Sequence, residues 1–220
     1  MHSRTGGQCA FFMTETVPHL AALLERSAAA TASEPDARDA IERAVIELID
    51  ALRTHHLGTA EHSNRLATGC ADVGHELDLA ADDVFELELV AILHDIGKLA
   101  VPASILDLAR PLTSRERAVV RAHTIRGAEI LAEIAGLEHL APYVRASHER
   151  WDGTGYPDRL FGEQIPLAAR IVFTVDAFDA MTNDRPYRGA LRRDEARRRI
   201  SAGAGRAFDP RIVRALLAAV

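Results

Sequence analysis

Apolar positions recur at helical spacing along almost the whole chain. Ile41, Ala44, Val45, Leu48, Ile49 and Leu52 form one stripe. Asp36 stands where an N-cap is expected, and His55-His56 close that segment ahead of Gly58. A second predicted helix runs from Glu61 to Val73 and carries His62. Asp82 or Asp83 is placed to cap a third, which passes through Leu87, Leu89, Val90 and Leu93 into His94-Asp95 and ends at Gly97. Thr113-Ser114-Arg115-Glu116 is a capping-box pattern. It opens a long helix with Val119, Val120, Ile130, Leu131 and Ile134 apolar and His123 aboard. A shorter helix is expected from near Leu140 to His148. Pro166 starts another through Ile171, Val172, Val175, Phe178 and Met181, with Asp176 and Asp179 inside it. Two last helices follow, Arg192 to Ser201 and Asp209-Pro210 to Val220. No alternating strand pattern competes, so the expectation is an all-α protein.

Residues 1–36 read as an N-terminal appendage to a domain spanning 37–220. Val17, Leu20, Leu23 and Leu24 share one side of a helical pattern, which Ala-Thr-Ala-Ser-Glu-Pro then breaks. This piece could pack on the domain, pair with a second copy or a signalling partner, or be disordered. The sequence leaves these open.

Composition changes the picture in a few places. The 220 residues are 48 % apolar but only 5 % aromatic, enough for one buried core. No apolar run approaches the roughly 18 residues of a membrane span. The Phe11-Phe12-Met13 patch is too short for a signal-peptide core, so the expectation is a cytoplasmic protein. Cys9 and Cys70 stand far apart, with no zinc-like spacing, and read as small apolar fillers. A net charge of −6 argues against general nucleic-acid binding. Between Asp184 and Arg206, however, eight arginines face three acids. That stretch is either a solvated helix face or an attractor of a small anion.

The chemistry concentrates in Ala91-Ile92-Leu93-His94-Asp95-Ile96-Gly97-Lys98. Adjacent imidazole and carboxylate groups suit a divalent first-row metal. Lys98, on a continued helix, would share a face with His94 and could neutralise an anion bound there. It is the only lysine among 26 basic residues. Its retention suggests a site that needs a compact point charge and not a planar fork. Elsewhere, Glu149 to Pro157 combines two glycines, a proline and the only tryptophan into a fixed turn. Asp176 and Asp179 are poor helix formers in an apolar helix and ask for a metal, an ion pair or a hydrogen bond. Taken singly, His62 and His123 would be ordinary polar or core histidines.

Together these stretches resemble the HD-GYP family of HD-domain metal-dependent phosphohydrolases. The resemblance rests on His62-Ser63, His94-Asp95-Ile96-Gly97-Lys98, His123 with Gly127, the run His148 to Pro157, Val175 to Met181, Asp184 to Arg188, and Phe208-Asp209-Pro210. It implies an HD-domain helical bundle with a metal site in its core. Two divalent ions, iron or manganese, are implied. His62, His94, Asp95 and Asp176 would hold the first, and Asp95 would bridge to a second held with His123 and His148. Lys98, Arg185 and Arg188 would contact phosphate, with Lys98 and Asp95 catalytic. Tyr156 would shape the pocket, and Asp179 would bond a ligand or an arginine. The implied reaction is hydrolysis of cyclic di-GMP to linear pGpG or GMP by a metal-bridging hydroxide.

Two positions depart from the family pattern. Ser147 stands where a second histidine is usual before Glu-Arg-Trp, and a hydroxyl is a poorer ligand for iron or manganese than imidazole. Gly58 stands where three-metal members carry a glutamate, which argues against a third ion. Two alternatives therefore stay beside cyclic di-GMP hydrolysis: a degenerate module that signals through binding or protein interaction, and a phosphohydrolase for another cyclic dinucleotide or nucleotide.

Overall fold

A computed structural model describes residues 35–55, 58–184 and 189–220. The described residues form helices and no strand, as the periodicity implies. In chain order these are α1 Pro35–His55, α2 Gly58–Glu76, α3 Ala81–Leu93, α4 Ala103–Leu106, α5 Ser114–Arg121, α6 His123–Ala132, α7 Ala141–Arg145, α8 Leu167–Thr182, α9 Arg193–Ala202 and α10 Pro210–Ala219. Residues 1–34, including Cys9, lie outside the described residues.

Helix α3 is the axis of the bundle. Val84 and every residue from Leu87 to Leu93 are buried, so the second half of this helix is covered on all sides rather than along one stripe. Helix α2 packs along it and also meets α8 and α10; α6 packs on α7. From α1, Val45, Ile49 and Leu52 reach the core, as their spacing requires. Burying side chains such as Leu66, Leu87 and Leu93 contributes on the order of 2 kcal/mol each.

Caps decide where several helices begin. The Thr113 hydroxyl accepts from the Glu116 amide and the Glu116 carboxylate accepts from the Thr113 amide, a reciprocal capping box. Asp209 caps α10, accepting from Arg211 N at 2.8 Å, with Pro210 at the first helical position. The expected cap of α3 is different. Its N-cap is Ala80, with no side-chain bond, and Asp82 and Asp83 sit inside the first turn, where they complement the helix dipole instead. Asp36 likewise falls inside the first turn of α1.

Two helix ends depart from the sequence reading, and both shape the site. Helix α3 stops at Leu93, His94 is its C-cap, and Ile96–Ala100 continues as a tighter 3-10 turn. Gly97 sits within that turn instead of ending the helix. A Cβ at Gly97 would lie 1.9 Å from the His123 carbonyl oxygen and 2.4 Å from Gly127 N. Only glycine lets the turn lie this close to α6. The long helix expected from Thr113 is also interrupted, at Ala122, so that His123 begins α6. Among the described residues no helix is long and apolar enough to cross a membrane.

Candidate metal centre

Four segments converge on one buried cluster. Helix α2 supplies His62, the α3 terminus His94 and Asp95, the start of α6 His123, and the segment after α7 His148. Donor atoms of His62, His94 and Asp95 lie within 4.8 Å of one another, and so do those of Asp95, His123 and His148. Asp95 belongs to both sets. Its Oδ2 is 3.4 Å from His94 Nε2, and its Oδ1 is 3.4 Å from His123 Nε2.

The imidazoles are oriented from behind. His94 Nδ1 donates to the Ala91 carbonyl at 2.8 Å, and His123 Nδ1 donates to the Val120 carbonyl at 2.6 Å. On α2, His62 Nδ1 meets Asp179 Oδ2 at 2.7 Å. Each Nδ1 is thereby committed and each Nε2 faces the cluster, the arrangement that outer hydrogen bonds impose on metal-ligating histidines. His123 Nε2 is buried and has no hydrogen-bond partner among the described residues. A buried nitrogen left unpaired beside a carboxylate is what a cation would satisfy. Imidazole nitrogens with carboxylates form a donor set suited to first-row divalent ions. The residues present therefore fit a metal site.

Helix α8 brings two carboxylates one turn apart to the same histidine. Asp176 Oδ1 lies 3.3 Å from His62 Nε2, and Asp179 lies behind the ring. Asp179 is itself held by Arg65 Nε at 2.8 Å and Asn183 Nδ2 at 2.8 Å. Burial disfavours a charged His62 ring, but hydrogen bonds to Asp176 and Asp179 outweigh it and push the pKa up to about 9. Burial raises the Asp95 carboxyl, yet His94, Lys98 and His123 hold it well below the carboxylate range. Burial lowers His148 to about 3, with the nearby His123 charge acting the same way. His148 is therefore a neutral donor at ordinary pH.

Lys98 does not share a helix face with His94, because the helix has ended. In the 3-10 turn, residues three apart eclipse, and Lys98 Nζ instead meets Asp95 Oδ2 at 2.5 Å. Its side chain keeps 24 % exposure, against 3 % for Asp95, so the ammonium forms the solvent side of the cluster.

The turn after His148 is a wall of the site. Tyr156 N donates to the His148 carbonyl at 3.2 Å. The Tyr156 ring lies nearly parallel to the His148 imidazole, 5.3 Å between centroids. Burial raises the Tyr156 hydroxyl pKa, so it stays protonated. A Cβ at Gly155 would lie 2.4 Å from Arg150 N, which explains a glycine there. The loop is fastened at its base: Asp152 N donates to the Arg206 carbonyl, and Arg170 on α8 pairs with Asp209 at 2.7 Å while lying over the Trp151 ring.

Of the site residues expected from sequence, the structure brings His62, His94, Asp95, His123, His148, Asp176, Lys98, Tyr156 and Asp179 together. Arg185 and Arg188 lie outside the described residues. Ser147 is fully buried, and its hydroxyl has no partner among the described residues. Sequence reasoning missed Arg65 and Asn183 behind Asp179, and Arg121, whose guanidinium lies over Tyr156. Arg65 carried a signal: it is one turn from His62, as Asp179 is one turn from Asp176.

Comparison with known proteins agrees with this geometry. A family model described as HD domain matches residues 44–212. The cyclic di-GMP phosphodiesterase response regulator RpfG of Xanthomonas campestris is 37 % identical over 206 residues, 93 % of this chain and 54 % of its own length. The 3'3'-cGAMP-specific phosphodiesterase 2 of Vibrio cholerae is 35 % identical over 184 residues, 83 % of this chain and 35 % of its own length. The crystal structure of the cyclic GMP-AMP specific phosphodiesterase V-cGAP3 of V. cholerae superimposes with a TM-score of 0.60 at 23 % identity, over 79 % of this chain and 47 % of that one. The chain thus spans about half, or less, of the length of these relatives. With its histidine–aspartate cluster in an all-helical core, the chain belongs to the HD-domain family, in its HD-GYP branch.

Proposed function

We propose that this chain is a metal-dependent phosphodiesterase that hydrolyses cyclic di-GMP to linear pGpG or GMP. The observation that carries the reading is Asp95, one buried carboxylate whose two oxygens face two separate imidazole sets. Relatives named as cyclic di-GMP phosphodiesterases, at 34–37 % identity, support the substrate class. The cytoplasm is the compartment this role implies.

In this reading His62, His94, Asp95 and Asp176 hold one divalent ion, and Asp95, His123 and His148 a second, with iron or manganese as the metals. When bound, such ions set positive charge against a phosphodiester and lower the pKa of water. The chain's own groups do the rest. Asp95 fixes the spacing of the two donor sets. The Ala91 and Val120 carbonyls and Asp179 keep each imidazole aimed without reorganisation. Lys98, on the solvent side of Asp95, neutralises charge growing on the phosphoryl oxygens during attack, and Arg185 and Arg188 assist. Tyr156, packed on His148, excludes water from one flank.

A second substrate has a specific observation behind it. Relatives named as 3'3'-cGAMP-specific phosphodiesterases match at 35–39 % identity. A panel of cyclic di-GMP, 3'3'-cGAMP and cyclic di-AMP, with products separated by chromatography, discriminates the two readings. Preferred turnover of cyclic di-GMP supports the first. Preferred turnover of cGAMP moves the assignment to the second. No turnover of any of them, with metal present, refutes the enzyme.

A further inference from the structure

We propose that Arg121 is a substrate-binding residue of this site, and that it engages the phosphate of the cyclic dinucleotide that is not being cleaved. The proposal rests on the reading of the site as a cyclic dinucleotide phosphodiesterase. Arg121 closes α5, two residues before His123. Its guanidinium carbon lies 4.9 Å from the centroid of the Tyr156 ring, and that ring is stacked on His148. Arg121 is thus two ring contacts away from the buried cluster, at its exposed rim.

Its charge is available. Arg65, Arg150 and Arg170, also around the centre, each pair with an aspartate of their own: Asp179, Asp152 and Asp209. Arg121 forms no ion pair with any described carboxylate. A guanidinium lying against an aromatic ring uses its face for that contact and keeps its in-plane N–H groups free. Those groups match a phosphate in bidentate fashion. The cation–π contact also holds the side chain in place before a ligand arrives, which reduces the ordering needed on binding.

The chemistry of the substrate supplies the partner. A cyclic dinucleotide carries two phosphodiesters in one ring. The one undergoing hydrolysis belongs beside Asp95 and Lys98. The other lies away from the cluster, where Arg121, in no ion pair with a described carboxylate, is placed to meet its charge. Lys98 and Arg121 then differ in role: the first acts on the reacting phosphate, and the second fixes the ring's position.

The test compares wild type with Arg121→Met, which keeps the apolar stem and removes the charge, and with Arg121→Lys. Substrates are cyclic di-GMP and bis(p-nitrophenyl) phosphate, which has one phosphodiester. For Arg121→Met, KM for cyclic di-GMP is expected to rise about tenfold with kcat changed less than about threefold, as loss of a charged hydrogen bond outside the reacting centre requires. The loss on bis(p-nitrophenyl) phosphate is expected to be severalfold smaller, and Arg121→Lys should recover part of the KM. If the protein binds cyclic di-GMP without turning it over, the dissociation constant from calorimetry is the readout, with the same expected change. Unchanged KM or affinity in Arg121→Met, or equal losses on both substrates, overturns the role of Arg121 alone. A wild-type protein that neither binds nor hydrolyses any cyclic dinucleotide overturns the parent reading, and this one with it.

Discussion

Asp179 Oδ2 lies 2.7 Å from His62 Nδ1, so helix α8 holds the imidazole of helix α2 from behind while Asp176, one turn earlier, faces its Nε2. The histidine is clamped between two carboxylates of one helix. Asp179→Ala should therefore weaken metal retention by about 10–100-fold, the usual effect of removing such a support. Competition with a chromogenic chelator measures this directly. Retention equal to wild type would show that His62 needs no such clamp.

Gly97 is where the 3-10 turn touches the His123 backbone. Gly97→Ala should destabilise the fold by at least about 2 kcal/mol, or else displace His123 and cost the protein metal. Urea denaturation followed by metal analysis separates these outcomes. A variant with wild-type midpoint and wild-type metal content would contradict the packing account.

Lys98 makes a single short contact with Asp95 through its Nζ. Arginine carries the same charge but spreads it over a planar fork that does not fit the same space. Lys98→Arg should lose most of the activity, roughly tenfold or more, with the fold intact by circular dichroism. A fully active variant would refute the need for a compact charge.

Ser147 is buried beside His148, and its hydroxyl has no partner among the described residues. Ser147→His adds an imidazole next to the donor set of Asp95, His123 and His148. Under limiting metal supply the variant should hold more of the second ion than wild type, which fills that site only when metal is in excess. Unaltered stoichiometry would mean that the serine does not limit the second ion.

Cys70 is fully buried, and burial, followed by the charges of Asp176 and Glu88, pushes its thiol well above the ordinary value. In a Cys9→Ser variant, Cys70 should react with thiol reagents only through unfolding, at a rate unaffected by reagent concentration once reclosing is outpaced. The same burial gives a sign for pH. Because the unfolded thiol ionises near pH 8.5, its contribution to stability is complete below that pH and falls as pH rises above it. Immediate labelling of Cys70 in that native variant at neutral pH would contradict this burial.

How much of this was legible beforehand varies by residue. The stripes through Val45, Ile49 and Leu52 and the capping box at Thr113 appear in the structure as read, because they depend on neighbours within one helix. The end of α3 at Leu93 was not legible. It depends on how closely Gly97 approaches His123, a contact made 26 residues apart in sequence and visible only once α6 is in place. For the same reason the helical spacing alone pairs Lys98 with His94, whereas the structure sets it on Asp95. The convergence of His62, His94, Asp95, His123, His148 and Asp176 followed from family resemblance, since no local pattern ties positions so far apart. Arg121 carried no local signal: an exposed arginine at a helix end is common, and only the position of Tyr156 singles it out.

The most direct test of the account is metal content and cyclic di-GMP hydrolysis measured on one sample purified without oxygen. The account predicts close to two ions of iron or manganese per chain together with turnover, loss of turnover on chelation, and its return when either metal is restored. Full turnover by protein stripped of metal, or metal-replete protein with no turnover, would contradict it.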